Sequence, residues 1–208
     1  MTGQEIIDNF ETYVDDSSEL SPVQELALLN KVYRIVLNQR PWEFLKKEFV
    51  GTSNGTTSID LPADFAYMVP NMNYTDNSYE TEGYGTSILL GTTRSPYKMV
   101  NWSDRNQYQN NSGVCWINIR TMKLEFGVAP ATGQALQFDY IYNPDDITLL
   151  SSPVFPSRFH DILYHRMAVD ESIIELFPKA QSYAVENMDY YRSYLKDMAY
   201  WNSQLIFI

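Results

Sequence analysis

A single cysteine, Cys115, is all the thiol chemistry the chain carries. That excludes an internal disulfide framework and any zinc site built on several cysteines, and it fits assembly in a reducing compartment. Basic residues are scarce too: 15 Lys and Arg stand against 26 Asp and Glu, for a net charge of −11. Such a surface does not coat phosphates, which argues against a DNA-wrapping or DNA-reading role. The imbalance is sharpest at the start, where Glu5, Asp8, Glu11, Asp15, Asp16 and Glu19 occur with no Lys or Arg. No stretch approaches the roughly 18 apolar residues of a membrane span. Met1-Thr2-Gly3-Gln4-Glu5 lacks the basic and apolar segments of a secretory signal, so the expectation is a soluble chain with no membrane partner. The Asn-x-Ser/Thr triplets at Asn54, Asn73, Asn101 and Asn110 then reflect composition rather than glycosylation.

The usual signatures of catalysis are missing as well. There is no Gly-x-x-x-x-Gly-Lys, Gly-x-Gly-x-x-Gly or His-Glu-x-x-His. The two histidines, His160 and His165, lie five residues apart. On a helix they point about 140° away from each other, which is wrong for two ligands of one metal. Asp161 and His165 share a helix face and read as a surface ion pair, since no Ser or Cys stands in a nucleophile's context. Cys115, between Val114 and Trp116, reads as a packed thiol. Asp145-Asp146 after a strand suits turn and cap chemistry. The expectation is a non-enzyme without metal or cofactor.

What the 208 residues do contain is apolar and aromatic: 44% are hydrophobic, enough to bury a sizeable core, and 16 Tyr, 10 Phe and 4 Trp make up 14%. Tyrosine joins a large apolar body to one polar tip, which suits either a surface buried on assembly or aromatic pairs across a sheet.

The pattern along the chain is helical, then β, then helical. Ile6, Ile7, Phe10, Tyr13 and Val14 predict a short acidic helix over 3–15. Ser21-Pro22-Val23-Gln24 is a capping box with proline at the first helical position, and the helix it starts carries Leu26, Leu29, Tyr33, Val36 and Leu37 until Pro41. Strands are predicted at Lys47 to Thr52, Thr57 to Leu61, Ala66 to Val69, Ile88 to Gly91, Val114 to Arg120, Met122 to Phe126 and Gln134 to Tyr142. Pro130-Ala131-Thr132-Gly133 supplies the turn for a hairpin between the last two. A polar run from Asn71 to Gly113 holds long loops with Tyr74, Tyr79, Tyr84, Tyr97 and Tyr108, placed to make contacts. After Pro153 and Pro156, one helix from Ser157 to Phe177 and another through Met198 form an αα-hairpin broken at Pro178. The end, Trp201 to Ile208, closes on Leu205-Ile206-Phe207-Ile208, which needs burial against a partner or the protein's own surface. The fold class expected is α+β, a helical bundle with an inserted antiparallel β region carrying long loops. It is a single domain over 1–208, with sub-regions 1–46, 47–145, 156–201 and the apolar tail 202–208.

The order of these features is specific: the Trp42 corner, a strand leading into Leu61-Pro62-Ala63-Asp64-Phe65, the loop-rich β region, Gly133 before Phe138-Asp139-Tyr140-Ile141-Tyr142-Asn143-Pro144, Pro153 and Pro156, and the helical hairpin. From about Ser21 to Trp201 it resembles the head-to-tail adaptor (connector) proteins of tailed bacteriophages, the tail-tubular-A-like group. The resemblance implies a structural ring subunit, twelve to the ring, that docks under the portal protein. It implies a place in the virion neck, with assembly in the host cytoplasm, and double-stranded DNA passing through without sequence-specific binding. Trp201, Leu205, Ile206, Phe207 and Ile208 would then face the portal. Tyr74, Tyr79, Tyr84, Tyr97 and Tyr108 would face neighbouring subunits or a downstream tail or nozzle protein, and Asp8, Glu11, Asp15 and Asp16 an acidic lumen or surface. The competing reading is a carbohydrate- or receptor-binding module that uses the Tyr-rich loops.

Overall fold

The structure, a computed structural model, describes residues 1–15, 20–69, 72–73, 78–79, 88–90 and 95–205. It is an α+β fold that divides into two compact units, one of Met1–Phe44 with Pro144–Ile208 and one of Leu45–Asn143.

The helical unit begins with α1 (Gly3–Val14), which buries Ile6, Ile7, Phe10 and Val14. Its start is a capping box of its own, in which Thr2 N–H donates to Glu5 Oε2 at 2.8 Å and Glu5 N–H to the Thr2 hydroxyl at 3.3 Å. It ends at Asp15, whose φ of 57° puts it in the left-handed region that closes a helix. Helix α2 (Pro22–Leu37) starts at the Ser21–Gln24 box, where Ser21 N–H donates to Gln24 Oε1 at 2.9 Å. It buries Leu28, Leu29, Val32, Tyr33, Val36 and Leu37. Pro41 follows, and Trp42 turns inward: fully buried, its indole N–H donates to the Val36 carbonyl at 3.1 Å and its ring stacks on Phe44 at 5.5 Å.

The C-terminal helices are α4 (Asp161–Ala168), α5 (Glu171–Leu176), α6 (Pro178–Ser182) and α7 (Ala184–Gln204), after a short α3 (Arg105–Tyr108) in the other unit. The periodicity predicts one helix through Phe177, but it is split at Asp170. That residue is extended, with φ −68° and ψ 137°, and caps α5. Its carboxylate accepts the Ser172 hydroxyl at 2.8 Å and the Lys31 ammonium at 2.7 Å. A short polar side chain that bonds locally competes with helix continuation, and a cation from α2 holds it there. Helix α4 packs among α1, α2 and α7.

The strand unit holds β1 (Lys46–Thr52), β2 (Ser58–Asp60), β3 (Phe65–Met68), β4 (Met72–Asn73), β5 (Ser78–Tyr79), β6 (Ile88–Leu90), β7 (Ser95–Met99), β8 (Val114–Asn118), β9 (Lys123–Phe126) and β10 (Ala135–Tyr142). The main sheet runs β1-β10-β6-β7-β8-β9-β2, with β3 also on β10, while β4 and β5 pair with each other. All described pairings are antiparallel except β7–β8, where Lys98 and Met99 lie parallel to Val114 and Cys115. Leu136, Phe138 and Tyr140 alternate inward along β10 and meet Phe65, Met68, Leu124 and Phe126 in one core. Among them, Phe49 stacks on Phe138 at 4.7 Å and Phe65 on Tyr140 at 5.7 Å.

The expected hairpin at Gly133 does not form, for β10 pairs with β1, β3 and β6, and β9 with β8 and β2. The connecting loop is captured by Ser53 at the end of β1. Gly133 N–H donates to the Ser53 carbonyl at 2.8 Å, Ser53 N–H donates to the Gln134 carbonyl at 2.9 Å, and the Ser53 hydroxyl donates to Ala131. Gly133 still needs its left-handed φ of 81°. Gly127 is required for a different reason, close approach: a Cβ there would strike the Asn111 carbonyl and lie 2.7 Å from the Tyr108 carbonyl oxygen. Gly127→Ala is therefore expected to cost about 1–3 kcal/mol through overpacking, read as a lower urea midpoint with an unchanged slope.

Candidate functional site

The sequence points to three places, and the structure distributes them differently. At the C-terminal end of α7, Trp201 is half-buried within the helical unit, its ring 5.8 Å from Phe44 and 5.7 Å from Phe159. The Arg158 guanidinium lies over both rings, 5.6 Å from that of Trp201 and 4.7 Å from that of Phe159. Next to it Asn202 is buried, accepting Glu43 N–H at 2.8 Å. Leu205 caps the helix and is half-buried. Ile206, Phe207 and Ile208 lie outside the described residues.

Of the loop tyrosines, Tyr97 stands in β7 and packs edge-on against Phe126 at 5.6 Å, where burial pushes its hydroxyl pKa up. Tyr108 ends α3, half-buried, with the Lys98 ammonium 5.6 Å from its ring centre. Tyr79 belongs to β5, but its side chain is outside the described residues, as are Tyr74 and Tyr84 entirely. The acidic helix is partly spent on its own ends. Glu5 serves the cap, Asp8 accepts the Gln4 amide at 2.8 Å, and Asp15 pairs with Lys179 at 3.1 Å. Glu11 is half-buried on the same helix, and Asp16 lies outside the described residues.

The histidines take no part in an Asp161–His165 surface pair; both are buried. His160 Nε2 is 2.9 Å from the Phe155 carbonyl and Nδ1 3.0 Å from the Met1 amine. His165 Nδ1 lies 2.9 Å from Asn187 Oδ1. Burial lowers the pKa of both rings, which keeps them neutral near pH 7. The Cys115 thiol is pushed up to about 12 by burial, which makes it unreactive.

Periodicity does not single out the aromatic cluster around His165. Tyr164 lies 4.3 Å from the imidazole, Tyr190 stacks on it at 4.9 Å and Tyr194 at 5.9 Å, and Tyr13 meets it edge-on at 5.7 Å. Tyr190 and Tyr194 are four residues apart on α7, the one hint in the sequence that they share a face. Two carboxylates border the cluster. The Tyr194 hydroxyl donates to Asp161 Oδ2 at 3.3 Å, and Tyr190 bonds Glu186. Burial first, and then the Asp161 charge, push the Tyr164 hydroxyl up to about 12. Among the described residues the cluster is four tyrosine rings packed on a buried imidazole, with two carboxylates at its border.

The family model described as SU10 adaptor protein matches residues 1–204. No curated protein matches the chain. The match begins at Met1, so the acidic helix α1, which the resemblance drawn from motifs alone leaves out, is part of the family pattern. A correspondence running through both units to Gln204 concerns the whole fold rather than one motif, and the chain therefore belongs to the SU10 adaptor protein family, a family of phage head-to-tail adaptors.

Proposed function

We propose that the chain is the subunit of a twelve-membered ring that docks beneath the portal protein in the virion neck. The ring continues the DNA channel and hands it to a downstream tail or nozzle protein. The observation that carries this reading is the family match over residues 1–204. The net charge of −11 supports it, since carboxylates repel the phosphates of DNA that must slide without sticking. On α1, Asp15 is neutralised by Lys179, so the charge this helix offers a lumen rests on Asp8 and Glu11, with Asp16 following in sequence. The portal contact falls on Leu205, Ile206, Phe207 and Ile208. Trp201, which packs against Phe44 and Phe159, belongs to the same contact. Tyr74, Tyr79, Tyr84, Tyr97 and Tyr108 lie on the part of the chain that meets neighbouring subunits or the tail.

The test is co-purification of the tagged chain with the portal protein of the phage that encodes it, with the eluate viewed by negative stain. Portal recovery with ring-shaped particles is expected, and removal of Ile206–Ile208 should abolish recovery while circular dichroism and thermal midpoint stay put. A cut at residue 202 is unsuitable, because it also removes the buried Asn202 that holds Glu43 N–H. A full-length chain that leaves the portal behind overturns the proposal, and glycan capture by that chain would turn attention to a carbohydrate-binding module.

A further inference from the structure

A cleft of about 550 Å³ opens in the helical unit where α1, α4, α6 and the start of α7 meet, within the range of small-ligand sites. Its walls include the rings of Tyr13, Tyr164 and Tyr183 and the charges of Asp161, Lys179 and Glu186. Lys179 is committed elsewhere: its ammonium sits 3.1 Å from Asp15 Oδ1 and 3.4 Å from the Thr12 carbonyl, at the end of α1 where a cation is favoured. His165, behind Tyr164, is buried and neutral. Among the described residues no ion pair holds Asp161 or Glu186. Among the described residues each carboxylate accepts only a tyrosine hydroxyl, from Tyr194 and Tyr190. The cleft thus presents aromatic faces and two carboxylates that no cation among the described residues holds.

We propose that this cleft is a socket for an arginine side chain of an abutting protein subunit, its guanidinium lying against the tyrosine rings and bonding Asp161 and Glu186. A guanidinium is planar and weakly hydrated, stacks on aromatic faces and forks onto carboxylates, whereas an ammonium is a compact and strongly hydrated point charge. Lys179 closes the side of the cleft nearest α1 to a second cation. That the arginine comes from a neighbouring subunit rests on the adaptor reading; the chemistry of the socket does not.

The socket is tested on the whole chain alone, by titrating N-acetyl-arginine methylamide and following the tyrosine ring protons by NMR. Saturable shifts are expected. The norleucine analogue and spermidine should bind more weakly, and Asp161→Asn with Glu186→Gln should weaken the arginine probe by about tenfold or more. Tyr183→Leu removes an exposed wall without touching either carboxylate, and should weaken the probe if the carboxylate variants fold poorly. Unsaturable shifts, unchanged binding in the Tyr183→Leu variant, or spermidine binding as tightly as arginine would overturn the socket. Because no portal or tail protein is present, none of these outcomes bears on the adaptor reading, and a failed portal capture leaves the socket standing.

Discussion

Trp42→Ala should lower the unfolding free energy of the helical unit by about 3–5 kcal/mol, the range for deleting a large buried aromatic side chain. Trp42 has no exposed surface, donates its indole N–H to the Val36 carbonyl at 3.1 Å, and stacks on Phe44. Phe44 in turn meets Phe155 at 6.3 Å and Trp201 at 5.8 Å, so the truncation removes the buried end of an aromatic chain that runs through Phe44 to the end of α7. Alanine also leaves the Val36 carbonyl, at the C-terminus of α2, without its indole donor. Urea unfolding followed at 222 nm checks the magnitude. Trp42→Phe keeps most of the volume but loses the N–H, and should cost clearly less.

Lys31→Met is expected to cost about 1–3 kcal/mol at pH 7. Breaking a buried pair costs about 3–5 kcal/mol, but Lys31 is 57% exposed and water already screens part of its charge. Asp170 is only 6% exposed. Burial pushes its carboxyl pKa up, but the bonds from Lys31 and Ser172 outweigh burial and leave it below the ordinary value of 3.8. A carboxyl with a lowered folded pKa contributes stability that is present above its unfolded value, near 3.9, and is lost as pH falls through the folded one. The gap between wild type and Lys31→Met should therefore be full at pH 6–7 and close as pH drops below about 4. A gap that persists undiminished at pH 2–3 would mean that the lysine stem, rather than the charge pair, is what the fold needs.

Asp170 also shows where local reading ends. The Ser21–Gln24 box and Pro22 start α2 because everything they need lies within four residues. The break at Asp170 depends on Lys31, far away in sequence. In the same way Pro130 to Gly133 carry turn chemistry, but the partner is decided by Ser53, which binds the loop back to β1. The alternation of β10 is legible as a half-buried strand, whereas its three neighbours are a matter of topology. Of the site residues, Trp201 and Tyr97 are visible as aromatics out of place in polar segments. The cluster of Tyr13, Tyr164, Tyr190 and Tyr194 around His165 joins three helices, and only its two α7 members are spaced to suggest a shared face.

The pairing of β1 with β10 places Lys46 opposite Ile141, so the two ends of the strand unit's chain lie side by side. Its roughly one hundred residues are, for the helices, a loop to be closed. Closing a flexible loop of that length costs about 3 kcal/mol more in chain entropy than closing one of a few residues. Once β1 and β10 are zipped, that extra entropy has been met by the sheet's own contacts, and Phe44 and Pro144 are tethered as if by a short turn. Zipping β1 to β10 thus clasps together the two chain ends that lead into the N-terminal and C-terminal helices, and weakening that pairing is expected to slow helical assembly.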